Sequence, residues 1–187
     1  MDAEPRRCWI DRTLGALATA LPFGLALARG ASAGQWRDDL PAVRDLGLVA
    51  VGVGGGVSTA VTQALSLVPL GSRTFRAALG SALALALAAR LLYELVRRLL
   101  IEAGRPSAAP WIGSRLGLAR LAGNGAPPSG RLAAALAGIA TLTAALSPTW
   151  QREATVGGGA MLAVAGALAA VWLALECAER GGAAARA

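Results

Sequence analysis

The chain has 187 residues, 55% of them hydrophobic and only 16% charged, with a formal net charge of +7. Soluble domains carry roughly 25% charged residues, so this composition and a mean hydropathy of +0.54 argue against an ordinary soluble domain and for a multi-pass membrane protein. There is no histidine, which excludes a His-based triad, a His metal site and an imidazole general base. All 18 basic residues are arginines set between apolar runs, where the positive-inside rule explains them first, so no nucleic acid is expected as a partner. Cys8 and Cys177 have no Cys-x-x-Cys spacing, and neither a disulfide framework nor a zinc site is expected.

In chain order, Met1–Arg12 is a short, mildly basic leader. Thr13–Ala28 then runs without a charge, interrupted by Pro22. It predicts a first membrane span kinked at the proline, which membrane helices tolerate; the rival reading is a cleaved leader, with Ala31-Ser32-Ala33 as the small-residue site. Gly30–Asp45 is a polar loop holding Asp38 and Asp39. Leu46–Leu70 is uncharged but crowded with glycines, among them Gly52, Gly54, Gly55 and Gly56. Glycine costs about 1 kcal/mol against alanine in a helix, so this segment makes a poor rigid span. It is not a phosphate loop either, because no Gly-Lys-Ser/Thr follows.

Ala77–Val96 predicts the next span. Arg90 and Glu94 fall inside it, four apart on one face, where they can pair. A lone charge at mid-span costs about 2.5–3.5 kcal/mol, and snorkelling toward Arg97 and Arg98 is preferred to an Arg90 that faces the bundle interior. Arg97–Arg131 is the longest polar connection, broken by Pro106, Pro110, Pro127 and Pro128, with a short interfacial helix expected over Trp111–Leu121. Leu132–Leu146 and Ala154–Leu175 hold no ionisable side chain and read as a membrane hairpin around Ser147–Glu153. Pro148, Arg152 and Glu153 are costly in lipid, so this break is expected as a turn at one bilayer surface, where an arginine at Gln151 would be tolerated. Gly181-Gly182 is expected to close the last helix.

The fold class expected is therefore all-α. A single transmembrane domain covers residues 1–187, with four full spans near 13–28, 77–96, 132–146 and 155–175. A Gly-rich juxtamembrane or re-entrant segment lies at 46–70 and a cytoplasmic loop at 97–131. With the N-terminus inside, eleven arginines face the cytoplasm and six lie outside. Were 46–70 to span, five spans with the N-terminus outside would give the same eleven and six, so charge alone does not choose.

The pieces Leu46-Gly47, Pro69-Leu70-Gly71, Phe75-Arg76 running into Ala77–Leu92 and Tyr93–Arg98, and Leu146-Ser147-Pro148-Thr149-Trp150 with Ala154-Thr155-Val156 resemble a known pattern. It is that of the N-terminal part of a bacterial multi-pass family of unassigned function, related to the protein O-mannosyltransferases of the GT-C glycosyltransferase class. The resemblance covers roughly Thr13–Leu175, the first portion of a typical family member. It implies a bacterial cytoplasmic membrane location, a polyprenyl-phosphate sugar as donor, and an acidic residue in the first external loop as base. The family's Asp-Ser-Gly-Glu falls on Gln35-Trp36-Arg37-Asp38, so only Asp38 keeps a carboxylate, with Asp39 one residue away. A His-Pro-Pro-Gly-Tyr-Pro stretch falls on Val51–Gly56, and an Ala-Glu-Val-Tyr sequence on Gly157-Gly158-Gly159-Ala160.

Two classes of function follow. One is a degenerate, non-catalytic membrane protein that packs with other membrane helices or with a longer glycosyltransferase-like protein. Gly157–Gly159, Ala163 and Gly166 would allow that close approach. The other is an active fragment or subunit of a lipid-linked-sugar-dependent glycosyltransferase, with Asp38 or Asp39 as base and Arg73, Arg76 and Arg152 as contacts for phosphate or lipid headgroups. The non-catalytic reading is preferred, and it needs no cofactor or metal; its partner in every case is the lipid bilayer.

Overall fold

The structure is a computed structural model that describes residues 9–32, 60–61, 64–65, 67, 69, 71, 73–103, 129–155 and 160–184. These residues form five helices: α1 (Trp9–Ser32), α2 (Arg73–Ala103), α3 (Gly130–Ala145), α4 (Pro148–Thr155) and α5 (Ala160–Ala184). No strand occurs among the described residues. The all-α expectation holds. Three helices are long and apolar enough to cross a membrane, and α3 with α4 makes a fourth if the bent pair is one span.

α1, α2 and the C-terminal end of α5 outrun their predicted limits, where charged residues are paired and stay helical, whereas α3 ends at Ala145, α5 begins at Ala160, and Thr155, the expected start of the last span, belongs to α4. α1 starts four residues before Thr13, and its first turn holds the buried Asp11, a favourable place for an acid beside the N-terminal end of the helix dipole. α2 continues past Val96 through Arg97, Arg98 and Glu102. α5 runs through Gly181 and Gly182 to Ala184, so that glycine pair does not close the helix as expected.

Pairs of residues at matching heights fix the directions of the helices. Asp11 meets Arg97 at one end of α1, and a Cβ on Gly30 would lie 3.8 Å from Ala78 at the other. Thus α1 and α2 are antiparallel. Arg98 meets Glu176 while Met161 and Ala165 join the cluster around Ala82 and Leu85, so α5 runs parallel to α2. α3 is antiparallel to α2, with Ala137 beside Tyr93 and Ala145 in the cluster around Ala82 and Leu85. The start of α1, the end of α2, the start of α3 and the end of α5 therefore share one end of the bundle. α2 is its axis, packed against all four other helices.

The core is built of alanine. Ala18, Ala26, Ala82, Ala88, Ala89, Ala137, Ala145, Ala154 and Ala165 are all buried, while Leu17, Leu21, Leu87, Ile139, Val171 and Leu173 are exposed. Water would reverse this, since fully burying a leucine or isoleucine is worth about 1.5–3 kcal/mol. Lipid gives large side chains no reason to turn inward. Small residues at helix contacts then let backbones approach and gain dispersion.

The break after α3 is a helix with two faces: Pro148, Thr149 and Arg152 are exposed, while Gln151 and Ala154 are buried. Ser147 and Pro148 start a new helix, with Pro148 at its first position, where a proline lacks nothing. The Trp150 N–H donates to Ser147 Oγ at 3.4 Å. α4 is bent by 60° from α3 and lies across the bundle, where Gln151 is 1% exposed and Ala154 fully buried. At 16 residues and 1.5 Å per residue, α3 is about 24 Å long, short of a ~30 Å hydrocarbon core. α4 fills the space that α3 leaves. The expectation that Gln151 tolerates an arginine is thereby reversed.

Of the 46–70 segment, residues 60–61, 64–65, 67 and 69 are described. Val61 and Leu65 lie beside Gly80 of α2, where a Cβ would be 3.7 and 3.2 Å from them. Gly71 has φ +59°, a left-handed turn that glycine adopts without cost just before α2. The expectations for Gly52–Gly56, the 111–121 interfacial helix and Gly157–Gly159 lie outside the described residues.

Candidate functional site

The polar side chains of α1 and α2 gather where the two helices meet at the shared end of the bundle. The Tyr93 hydroxyl lies 2.6 Å from Asp11 Oδ1 and 3.1 Å from the Asp11 carbonyl oxygen. Its single proton goes to the nearer carboxylate. Arg97 Nε stands 2.9 Å from the same Oδ1, with the two side chains 16% and 7% exposed. One carboxylate oxygen thus joins the first turn of α1 to two successive turns of α2. A carboxylate this deep is held only because a cation and a hydroxyl meet it.

One turn earlier on α2, Arg90 Nη2 and Glu94 Oε1 are 2.5 Å apart, the pairing the sequence predicts. The guanidinium also lies 5.8 Å from the ring centre of Tyr93 on its own helix. A Cβ on residue 15 would run into Arg90 Nη1 and lie 3.1 Å from Tyr93 Cε1. Gly15 therefore gives Arg90 its place against α1, and the side chain is both paired and turned toward a neighbouring helix rather than only drawn to the surface. On the other side of α2, Arg98 Nη1 donates to Glu176 Oε2 at 3.2 Å, and the guanidinium carbon lies 5.4 Å from the Trp172 ring centre. This contact ties the end of α5 to the same level.

A groove of about 450 Å³ opens beside this cluster, between α1 and α2. Arg12, Ala16, Thr19, Ala20 and Phe23 line it from α1 and Ala86 and Arg90 from α2, at helical spacings that put each set on one face. The Thr19 hydroxyl donates to the Gly15 carbonyl at 2.9 Å, which leaves the wall largely apolar between its two arginines.

A second polar feature sits deeper. Gln151 Nε2 donates to the Ala145 carbonyl at 2.8 Å and to the Pro22 carbonyl at 3.3 Å. Among the described residues, Gln151 Oε1 and Thr141 Oγ1 are buried without a hydrogen-bond partner, and Arg97 Nε meets Asp11 as an ion pair without an aligned hydrogen bond. α4 is thus pinned to α1 at its proline.

The residues singled out in the sequence do not come together here. Asp38 and Asp39 lie outside the described residues. Arg73 begins α2, and its side chain lies outside them too. Arg76 is half-buried on α2 and Arg152 exposed on α4; each has a partner. The arginines that share a groove are Arg12 and Arg90, at the opposite end of the bundle. The sequence pattern places Arg12 in a leader and makes Arg90 a snorkelling charge. The signal that finds the site is the spacing Asp11, Gly15, Ala18 against Arg90, Tyr93, Arg97, two faces that fit once the helices are placed side by side. No family model, no curated protein and no solved structure matches this chain.

Proposed function

We propose that this chain is a non-catalytic protein of the bacterial cytoplasmic membrane that acts by packing against the helices of another membrane protein, with α5 as the docking helix. Four spans, α1, α2, the α3–α4 pair and α5, alternate in direction, and the end that holds Asp11, Arg97 and Glu176 faces the cytoplasm, as the excess of arginines there requires. The observation that carries the reading is the outer face of α5. Ala163, Gly166, Ala167 and Ala170 are all exposed, and nothing lies within 4 Å of where a Cβ on Gly166 would be. Their spacing of three and four places them on one stripe, the small-residue pattern that lets a second helix approach closely. α5 packs along α2 and touches α4 without comparable contact to α1 or α3. Only 11% of its membrane-length window is buried, against 44% for α2.

The sequence resemblance makes a longer glycosyltransferase-like protein the class of partner to try first. Gln35 and the glycines at 52, 54–56 and 157–159 stand where the resembled family carries its acid and polar groups, which supports scaffolding over sugar transfer. The test is photo-crosslinking in intact membranes from a photoreactive residue at Ala167, with one at the inward-facing Ala165 as control. A protein adduct from position 167 alone is expected. Equal yields at both positions, or lipid adducts only, would remove the docking role of α5.

A further inference from the structure

We propose that the α1–α2 groove is a binding site for one anionic phospholipid of the leaflet that faces the shared end of the bundle. Its phosphate sits between Arg12 and Arg90, and one acyl chain lies along Ala16, Ala20, Phe23 and Ala86. Charge and shape both point to this occupant. The groove carries its two cations at one end and apolar side chains beyond them, the order in which a phospholipid presents phosphate and hydrocarbon. From Arg12 to Phe23 is eleven residues of helix, about 16 Å, close to half of a ~30 Å hydrocarbon core. The volume of about 450 Å³ holds the glycerol phosphate and the first part of one chain, and the rest of the lipid stays in the bilayer. Glu94 takes Arg90 Nη2, while Nη1 rests against Gly15 at the groove wall. Arg12 is exposed and makes no ion pair among the described residues. Arg12 is therefore the cation that an incoming phosphate meets first.

The proposal rests on the membrane reading and not on the pairing of α5, and resistance to alkaline carbonate extraction checks the former separately. The experiment is native mass spectrometry of the full chain, stripped of lipid in detergent, with phosphatidylglycerol, phosphatidylcholine of the same acyl chains, or inorganic phosphate added. One phosphatidylglycerol per chain is expected, bound at least tenfold more tightly than phosphatidylcholine, with no adduct from phosphate. Arg12→Gln should weaken phosphatidylglycerol about fivefold, the share of one arginine near an anionic surface. Ala20→Trp fills the apolar part and should block binding while leaving both charges in place. Arg90→Gln is made together with Glu94→Gln, so that no carboxylate is orphaned, and should act like Arg12→Gln. Equal affinity for the two lipids, binding unchanged in both Arg12→Gln and Ala20→Trp, or phosphate binding alone would overturn the lipid site.

Discussion

Removing the Asp11 carboxylate should separate α1 from α2 more severely than removing the hydroxyl that bonds to it. Asp11→Ala leaves Arg97 with its Nε at a site 16% exposed and no anion beside it, where a carboxylate stood at 2.9 Å. Breaking a buried pair from one side costs about 3–5 kcal/mol, and the remaining exposure of Arg97 puts the expected loss near the lower figure. Tyr93→Phe keeps that pair and gives up one interhelical hydrogen bond, worth about 0.6 kcal/mol on average between membrane helices and about 1.7 at most. The charged acceptor at 2.6 Å favours the upper part of that range. Asp11→Asn still accepts from Tyr93 but carries no charge, and should fall between the two. Asp11→Ala combined with Arg97→Leu should cost less than the sum of the single changes, since neither partner is then stranded. Reversible unfolding in mixed detergent micelles measures the unaltered chain, these four variants and Arg97→Leu alone. An Asp11→Ala variant within about 0.5 kcal/mol of the unaltered chain, the usual range of a surface substitution, would show that this cluster does not hold α1 to α2.

Gln151→Arg should reduce the folded, membrane-extracted yield sharply, because a charge with no partner would enter a site 1% exposed at about 2.5–3.5 kcal/mol, whereas Arg152→Gln next to it should be tolerated. Equal yields of the two would return the 147–153 break to the surface turn read from sequence. The purified chain in lipid with polyprenyl-phosphate sugars and a peptide or lipid acceptor should show no sugar transfer. Turnover that disappears on Asp38→Asn/Asp39→Asn substitution would defeat the non-catalytic reading and identify one of these carboxylates as the base.

Apolar runs are readable as helices because lipid demands length and hydrophobicity together: α1 and α2 contain the predicted 13–28 and 77–96, while α3 and α5 cover most of 132–146 and 155–175. Their ends were less readable. The charges of Asp11, Arg97, Arg98 and Glu176 look like loop residues in one dimension, yet they are helical and paired across helices. α4 was misread for a similar reason. Ser147, Pro148 and Arg152 have the chemistry of a turn, yet Ser-Pro is also an N-cap followed by its first helical residue. The length deficit of α3 decided between these. Gln151 could not be seen as a core residue without knowing that Pro22 of α1 stands opposite it. The groove was hidden because Arg12 and Arg90 are 78 positions apart and belong to helices whose relative height the sequence does not state.

Thiol accessibility decides whether the chain crosses the membrane with both termini on the cytoplasmic side. Cys177 is exposed near the Arg98–Glu176 end of α5, Cys8 immediately precedes α1, and Thr149 is exposed on α4 toward the opposite end. Variants that keep Cys8 alone, keep Cys177 alone, or carry Thr149→Cys alone are treated with a membrane-impermeant thiol reagent in intact cells and in inverted membrane vesicles. Cys8 and Cys177 should react only in the vesicles and Thr149→Cys only in the cells. Reaction of Cys8 in intact cells would contradict the four-span arrangement and favour five spans through 46–70, and equal reaction of all three in both preparations would show that the helices do not cross the bilayer.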